Sequence, residues 1–177
     1  MTNSPSLDQE NIHPAAMAEE ELLRRCKVRR QRRSGPGGQH RNKVETAIVI
    51  VHEPTGLRCE ASERRSQEEN RTRALFRLRV NLALQVRSAV QIPPKPSDLW
   101  NSRNVAGKIA VNSSHQHFPA LLAEALDAVL AAEMDAKQAS QWLGCSPSQL
   151  VKFLQRESRA MEWINRERRA KGQTIYR

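Results

Sequence analysis

The chain has 177 residues, with 29 Lys and Arg against 19 Asp and Glu, a formal net charge of +10, 38% apolar residues and only 4% aromatic ones. That supports one ordinary domain or two small ones with a modest core. No apolar run reaches the roughly 18 residues of a membrane span and Met1–Glu10 lacks a secretory leader pattern, so neither membrane nor secretion is expected. Cys26, Cys59 and Cys145 make an odd set without a C-x-x-C pair, which argues against a disulfide framework or a zinc cluster; a reducing cytoplasm is the expected setting, with no metal and no cofactor. The excess positive charge predicts a polyanionic partner.

Residues 1–17 read as a flexible lead-in. From Pro14 onward Ala18, Leu22 and Cys26 recur every fourth residue, and Glu20 to Arg24 and Glu21 to Arg25 are i,i+4 pairs, predicting a short helix. Lys27–Arg33 reads as a charged strand entering the Gly-rich stretch Ser34-Gly35-Pro36-Gly37-Gly38-Gln39-His40. Ala47–Val51 and Leu57–Ala61, separated by Glu53-Pro54-Thr55-Gly56, form a predicted hairpin. Ser66 with Glu69 makes a capping box, and Leu75, Leu78, Leu82 and Val86 keep helical spacing, so a long helix is expected to about Ala89. Together these make a small α+β domain over residues 18–90. The Pro93-Pro94-Lys95-Pro96 stretch opens an aperiodic linker, 91–117. A small all-α domain over 118–165 follows, with helices over Phe118–Ala132 and Lys137–Leu143, a stop at Gly144, and a restart capped by Ser146. A final helix carries Trp163 and Ile164, and a basic tail spans 166–177.

Chemistry concentrates between Leu22 and Val44. That window has no carboxylate and nine cations: Arg24, Arg25, Lys27, Arg29, Arg30, Arg32, Arg33, Arg41 and Lys43. Glycine backbone at the centre of such a field can approach phosphate closely, because no Cβ intervenes. A solvated basic strand beside a turn is the bland alternative. The loop fits neither a Walker A sequence nor a Gly-x-Gly-x-x-Gly fingerprint.

Ser34-Gly35-Pro36-Gly37-Gly38-Gln39-His40-Arg41-Asn42-Lys43-Val44-Glu45-Thr46-Ala47 resembles the GGQ loop of class I peptide-chain release factors and their shortened ribosome-rescue relatives. Pro54-Thr55-Gly56 falls on that family's hairpin turn, and Arg65-Ser66-Gln67 with Asn70-Arg71 on its helix start, so about 70 residues are covered. Pro36 and Arg41 depart from the small and aliphatic residues common there. The resemblance implies a ribosome-dependent peptidyl-tRNA hydrolase acting in the peptidyl-transferase centre, with large-subunit rRNA and P-site peptidyl-tRNA as partners. It places catalysis at Gly37, Gly38 and Gln39, the glutamine backbone N–H stabilising an oxyanion and its side chain positioning water. RNA contacts are expected at Arg32, Arg33, Ser34, Gly35, His40, Arg41, Asn42, Lys43, Arg64, Arg65, Ser66, Gln67 and Arg71. His40 is placed as an RNA contact rather than a general base. The amide of Gln39 is where a glutamine methyltransferase would act.

Fewer than 20 residues precede the first predicted helix, whereas full-length members have a codon-reading domain there, so codon-independent action on stalled ribosomes is expected. Short relatives sense an empty mRNA channel with a basic tail, and Arg166, Arg168, Arg169, Lys171 and Arg177 are the counterparts here. A non-catalytic binder of rRNA or peptidyl-tRNA is the first alternative. The second is a DNA-binding regulator, because residues 136–154 resemble a helix-turn-helix. For those helices packing of Ala139, Leu143, Leu150 and Phe153 ranks first, RNA docking second and duplex DNA third: Ser148-Gln149-Leu150-Val151-Lys152 places no arginine in the first turn. His115 and His117 read as loop residues, and Trp100, Trp142 and Trp163 as core or linker anchors.

Overall fold

The computed structural model of the chain describes residues 12–31 and 46–177. They form two compact units, Met17–Leu82 and Ala83–Arg177 with residues 12–16. The division falls inside a helix and not at the Pro-rich stretch, where the sequence placed it.

In the first unit, helix α1 spans Glu19–Arg24, and strand β1 Cys26–Gln31, β2 Ala47–His52 and β3 Arg58–Ala61 form an antiparallel sheet in the order β1-β2-β3. The predicted helical stripe through Cys26 is corrected: the helix stops at Arg24, and Cys26 opens β1 opposite His52. Fourfold spacing alone did not reveal that the cationic run Lys27–Arg30 favours the edge of a sheet, where long side chains reach water on both faces. The central strand has the opposite character. Ala47, Ile48, Val49, Ile50 and His52 are all buried, as a β-branched run with both faces covered should be. The hairpin closes where the His52 N–H donates to Leu57 O at 2.9 Å and the Gly56 N–H to His52 O at 2.8 Å; Gly56, at φ +70°, takes the left-handed conformation that a Cβ penalises.

Helix α2, Gln67–Gln85, begins as the capping box predicts, with the Glu69 N–H donating to Ser66 Oγ at 3.3 Å. It ends four residues short of the predicted Ala89. Leu75, Leu78 and Leu82 are buried with Ala74, each leucine contributing about 2 kcal/mol of transfer free energy. The helix lies along β3: Asn81 Nδ2 meets Cys59 Sγ at 3.1 Å, and Arg77 Nη1 donates to Glu60 O at 2.7 Å.

The second unit is helical with one small hairpin. The stretch read as an aperiodic linker contains α3, Asp98–Arg103, and strands β4, Asn104–Val105, and β5, Lys108–Ile109. Ser97 caps α3, its Oγ accepting from the Trp100 N–H at 3.0 Å. Elements this short leave almost no periodicity to read. Helices α4, Phe118–Ala131, α5, Ala136–Trp142, α6, Pro147–Leu154, and α7, Ser158–Ala170, complete it. Trp100, Phe118 and Phe153 are fully buried, with Phe153 5.8 Å from Trp100 edge to face and 5.5 Å from Phe118. Ala139, Leu143, Leu150 and Phe153 are all buried, so the packing reading holds for them. An ion pair, Arg87 to Asp127 at 2.8 Å, is buried here, Asp127 being 5% exposed. Burial outweighs the guanidinium and raises the Asp127 carboxyl to about 6.

Helix α7 runs on to Ala170, which corrects the tail expected from 166. Arg166, Arg168 and Arg169 are helical, and the last residues fold back onto the unit. The Tyr176 hydroxyl accepts from the Ala136 N–H at 2.9 Å and from Arg168 Nη1 at 2.8 Å, while the Tyr176 backbone N–H donates to Asn165 Oδ1 at 2.9 Å. The chain's single tyrosine, amphipathic and near a run of arginines, was the available signal.

Candidate functional site

Strand β1 carries Lys27, Arg29 and Arg30, all exposed, toward the Gly-rich stretch. Gln31 pairs with Ala47 across the β1/β2 ladder, so the chain leaves the sheet at one end of a strand pair and returns to the same end. Arg32, Arg33, Ser34, Gly35, Gly37, Gly38, Gln39, His40, Arg41, Asn42 and Lys43 lie outside the described residues. Their roles remain expectations from sequence.

The returning residue is anchored. Asn70, in the first turn of α2, is fully buried. Its Nδ2 donates to Thr46 O at 2.7 Å and to Arg64 O at 2.9 Å, and its Oδ1 accepts from the Arg64 N–H at 3.0 Å. One side-chain amide thereby fixes both the point where the chain re-enters β2 and the backbone of Arg64. An Asn inside a helix is neutral to unfavourable by propensity and competes for local backbone groups, so its presence four residues after the Ser66 cap was the sequence's sign of such a task. The helix-start motif names the residue but not its anchoring role.

Around that anchor Arg64, Arg65 and Ser66 are exposed while Gln67 and Arg71 are half-buried. Arg71 stands 3.7 Å from Glu68, a solvent-screened pairing. Arg77 engages Glu63 and holds that carboxyl down at about 2 by direct hydrogen bonding. Thus the acid nearest the Arg64–Arg65 pair in sequence is itself occupied by a cation, leaving those two guanidinium groups on a surface suited to phosphate.

The far end of the sheet is different. His52 is five strand positions from Ala47, about 17 Å at ordinary strand rise, and its Nδ1 lies 2.8 Å from Thr55 Oγ1. Burial, aided by Arg25, lowers its pKa, so it is neutral at pH 7. Pro54-Thr55-Gly56 therefore shapes the hairpin and takes no part at the end occupied by Thr46 and Arg64.

In the second unit Arg166, Arg169, Lys171 and Arg177 are exposed. Arg168 is used internally, its Nε donating to Thr174 O at 2.6 Å and its guanidinium stacking 3.9 Å from the Tyr176 ring centroid. The rings of His115 and His117 meet edge-on, 4.9 Å between centroids, just before α4. Among the described residues no group of three or more His, Cys, Asp or Glu could hold a metal ion, and no helix is long and apolar enough to cross a membrane. Burial pushes the Cys26 and Cys145 thiols up to about 11, away from nucleophilic use.

A family model described as the RF-1 domain matches residues 20–116, more than half of the chain. A chloroplastic peptide chain release factor of Arabidopsis thaliana is 55% identical over 51 residues, 29% of this chain and 11% of that protein. Peptide chain release factor 1 of Acidiphilium cryptum is 50% identical over 58 residues, 33% of this chain and 16% of the relative. Peptide chain release factor 1 of Streptococcus thermophilus is 35% identical over 109 residues, 58% of this chain and 30% of the relative. The chain thus spans less than a third of the length of these curated relatives.

Proposed function

The chain belongs to the RF-1 domain family, and from that premise we propose that it hydrolyses the ester between a nascent peptide and tRNA on the ribosome, without reading a codon. Water adds to the ester carbonyl carbon, the carbonyl oxygen becomes an oxyanion, and collapse of the tetrahedral intermediate expels the tRNA ribose oxygen, which takes up a proton. Gln39 is assigned to this step: its backbone N–H meets the oxyanion and its amide side chain orients the water and keeps larger nucleophiles out. Gly37 and Gly38 let that backbone approach RNA. A preorganised donor and a positioned water each supply several kcal/mol toward such a barrier. Arg64 and Arg65, with the cations of residues 24–43, grip rRNA and tRNA phosphates. The glutamine amide is also the site for methylation by a partner methyltransferase.

The observation that carries this reading is that the described chain is fixed on either side of residues 32–45. Gln31 is paired with Ala47, and Thr46 is tied through Asn70 to the backbone of Arg64. Catalysis by positioning requires a scaffold of that kind.

The test is release of labelled peptide from purified ribosomes carrying peptidyl-tRNA on mRNA truncated at the P site, with no stop codon. The natural chain is expected to release peptide, and Gln39→Ala to slow release at least about 100-fold, the loss seen on removing a key transition-state contact, while ribosome binding persists. Release only on stop-codon-programmed ribosomes would replace codon independence with ordinary termination. Binding with no release by either protein would leave a non-catalytic RNA binder.

A further inference from the structure

The small hairpin and the helix-turn-helix of the second unit form one surface. Trp100 Nε1 donates to Leu143 O at 2.8 Å, and Asn104 Nδ2 donates to Gly144 O at 2.8 Å. These bonds tie α3 and β4 to the turn between α5 and α6, and β5 packs against α6. Two separate stretches of sequence, 99–123 and 136–156, are brought together in this way, and neither contains an Asp or Glu.

Three of the carboxylates bordering them are engaged by their own surroundings, and Asp98 is exposed. Glu124 accepts from the Ser97 N–H and Oγ at 2.7 and 2.6 Å, Asp135 caps α5 by accepting from the Lys137 N–H at 2.8 Å, and Glu157 binds Arg159 Nε at 2.7 Å. Asp98 sits in the first turn of α3. What the surface offers outward is the exposed Lys108 and Val105 of the hairpin, then Ser148, Lys152 and Arg156 along and just beyond α6; at its edge Gln155 donates to Arg177 O at 2.8 Å and shares a pocket with Glu162. Ser148, Lys152 and Gln155 follow i, i+4, i+7, so they share one helix face. Leu150, Phe153 and Leu154 are buried. Hydroxyl and cationic groups with Val105 as the exposed large apolar side chain make a surface that attracts phosphate and offers a protein partner little to pack against.

We propose that the β4–β5 hairpin and the outer face of α6 dock on the phosphate backbone of structured RNA. Base reading is poorly provided for: the first turn of α6 offers Pro147, Ser148 and the half-buried Gln149, where duplex DNA recognition uses Arg, Asn or Gln. An eight-residue helix, about 12 Å long, suits contacts across a backbone better than entry into a groove, and the A-form major groove excludes side chains in any case. Backbone docking without sequence choice is useful when another contact already fixes location. That last step rests on the ribosomal reading of the Gly-Gly-Gln unit.

The experiment uses the full chain and fluorescence anisotropy with a labelled 20-base-pair RNA hairpin and a DNA hairpin of the same sequence. Lys108→Glu, Lys152→Glu and Arg156→Glu are combined in one variant; Arg73→Glu with Lys95→Glu, both exposed and outside that face, serves as the control. The triple variant is expected to bind RNA at least about tenfold more weakly at physiological salt, with the salt slope reduced by about 2 to 3, one per lost phosphate contact. The control should change binding less than about threefold by the same reasoning. Because charge reversal can unfold a small unit, Trp fluorescence and circular dichroism are checked on each variant, and the milder Lys108→Gln, Lys152→Gln, Arg156→Gln set must follow in the same direction. Unchanged RNA affinity and slope in folded variants overturns the proposal, and so does a preference of tenfold or more for the DNA hairpin. Peptide release separates this from the hydrolase reading. If only docking fails, the triple variant releases peptide at the natural half-saturation; if only the hydrolase fails, no protein releases peptide while the RNA salt slope still falls.

Discussion

Replacing Asn70 should destabilise the Gly-Gly-Gln unit in a way that distinguishes lost hydrogen bonds from wrong charge. Asn70→Ala removes three hydrogen bonds, to Thr46 O, Arg64 O and the Arg64 N–H, each worth about 1 kcal/mol net. Alanine recovers about 0.6 kcal/mol through better helix propensity, so the expected loss is about 2 to 3 kcal/mol. Asn70→Asp is nearly isosteric but sets a carboxylate oxygen where an amide nitrogen stood 2.7 and 2.9 Å from two carbonyl oxygens. At pH 7 it should cost more than the alanine change. The introduced carboxyl has its folded-state pKa raised, so its protonated form is favoured on folding; the deficit should shrink as pH falls toward about 4 and grow as pH rises. Residues 17–82 contain no tryptophan or tyrosine, so Trp fluorescence reports the helical unit alone. The suitable assay is amide hydrogen exchange of β2 across pH 4–7. An alanine variant within 0.5 kcal/mol of the natural chain, a difference too small for three lost bonds, would refute the anchoring argument, as would an aspartate variant whose deficit does not depend on pH.

Other outcomes follow from the helical unit. Gly144 has φ +65°, and a Cβ there would meet Asn104 Nδ2 at an ordinary 3.6 Å; Gly144→Ala should therefore lower stability by about 1 to 2 kcal/mol from backbone strain alone, measured by urea unfolding followed at tryptophan. The Asp127 carboxyl is raised to about 6 from 3.8, so its contribution is fully present below about pH 3.8 and is lost as pH rises through about 6, at most about 3 kcal/mol. Comparing melting of the natural chain with Asp127→Asn between pH 4 and 7 isolates that part, because Glu157, lowered by Arg159, and His13, lowered by burial, titrate in both proteins. Tyr176→Phe keeps the stacking with Arg168 but loses the hydroxyl's bonds to the Ala136 N–H, Arg168 and Met134 O, and should speed tryptic cleavage at Lys171 severalfold. An unchanged digestion rate would mean the terminus is not held by that hydroxyl.

Much of this was legible in advance where the signal is local and repeated. The β-branched run, the Glu53–Gly56 turn and the Ser66–Glu69 box each name an element and one of its ends, and the Ala- and Leu-rich stretch from Phe118 names another. Asn70 illustrates what was not legible: its partners Thr46 and Arg64 lie 24 and 6 residues away, and no local pattern shows a buried amide turning to both. Cys26 failed for a related reason, since one apolar residue at helical spacing cannot outweigh strand pairing with His52. The stretch read as a linker hid α3, β4 and β5 because a six-residue helix and two two-residue strands carry too few periods to identify themselves.

The seating of Trp100 bears on how such a chain can be divided or inherited. The family match stops at residue 116, but Trp100 lies before that point and is wholly enclosed, against Phe153 and with its indole N–H on Leu143 O. A chain cut at 116 would strand a side chain of roughly 200 Å² in water, and a fragment starting at Phe118 would have a hole where it belongs. The helical unit is therefore not cargo that a crossover could append or delete at the family's edge; any recombination that preserves it must cut upstream of Ser97, inside what the family model counts as its own territory.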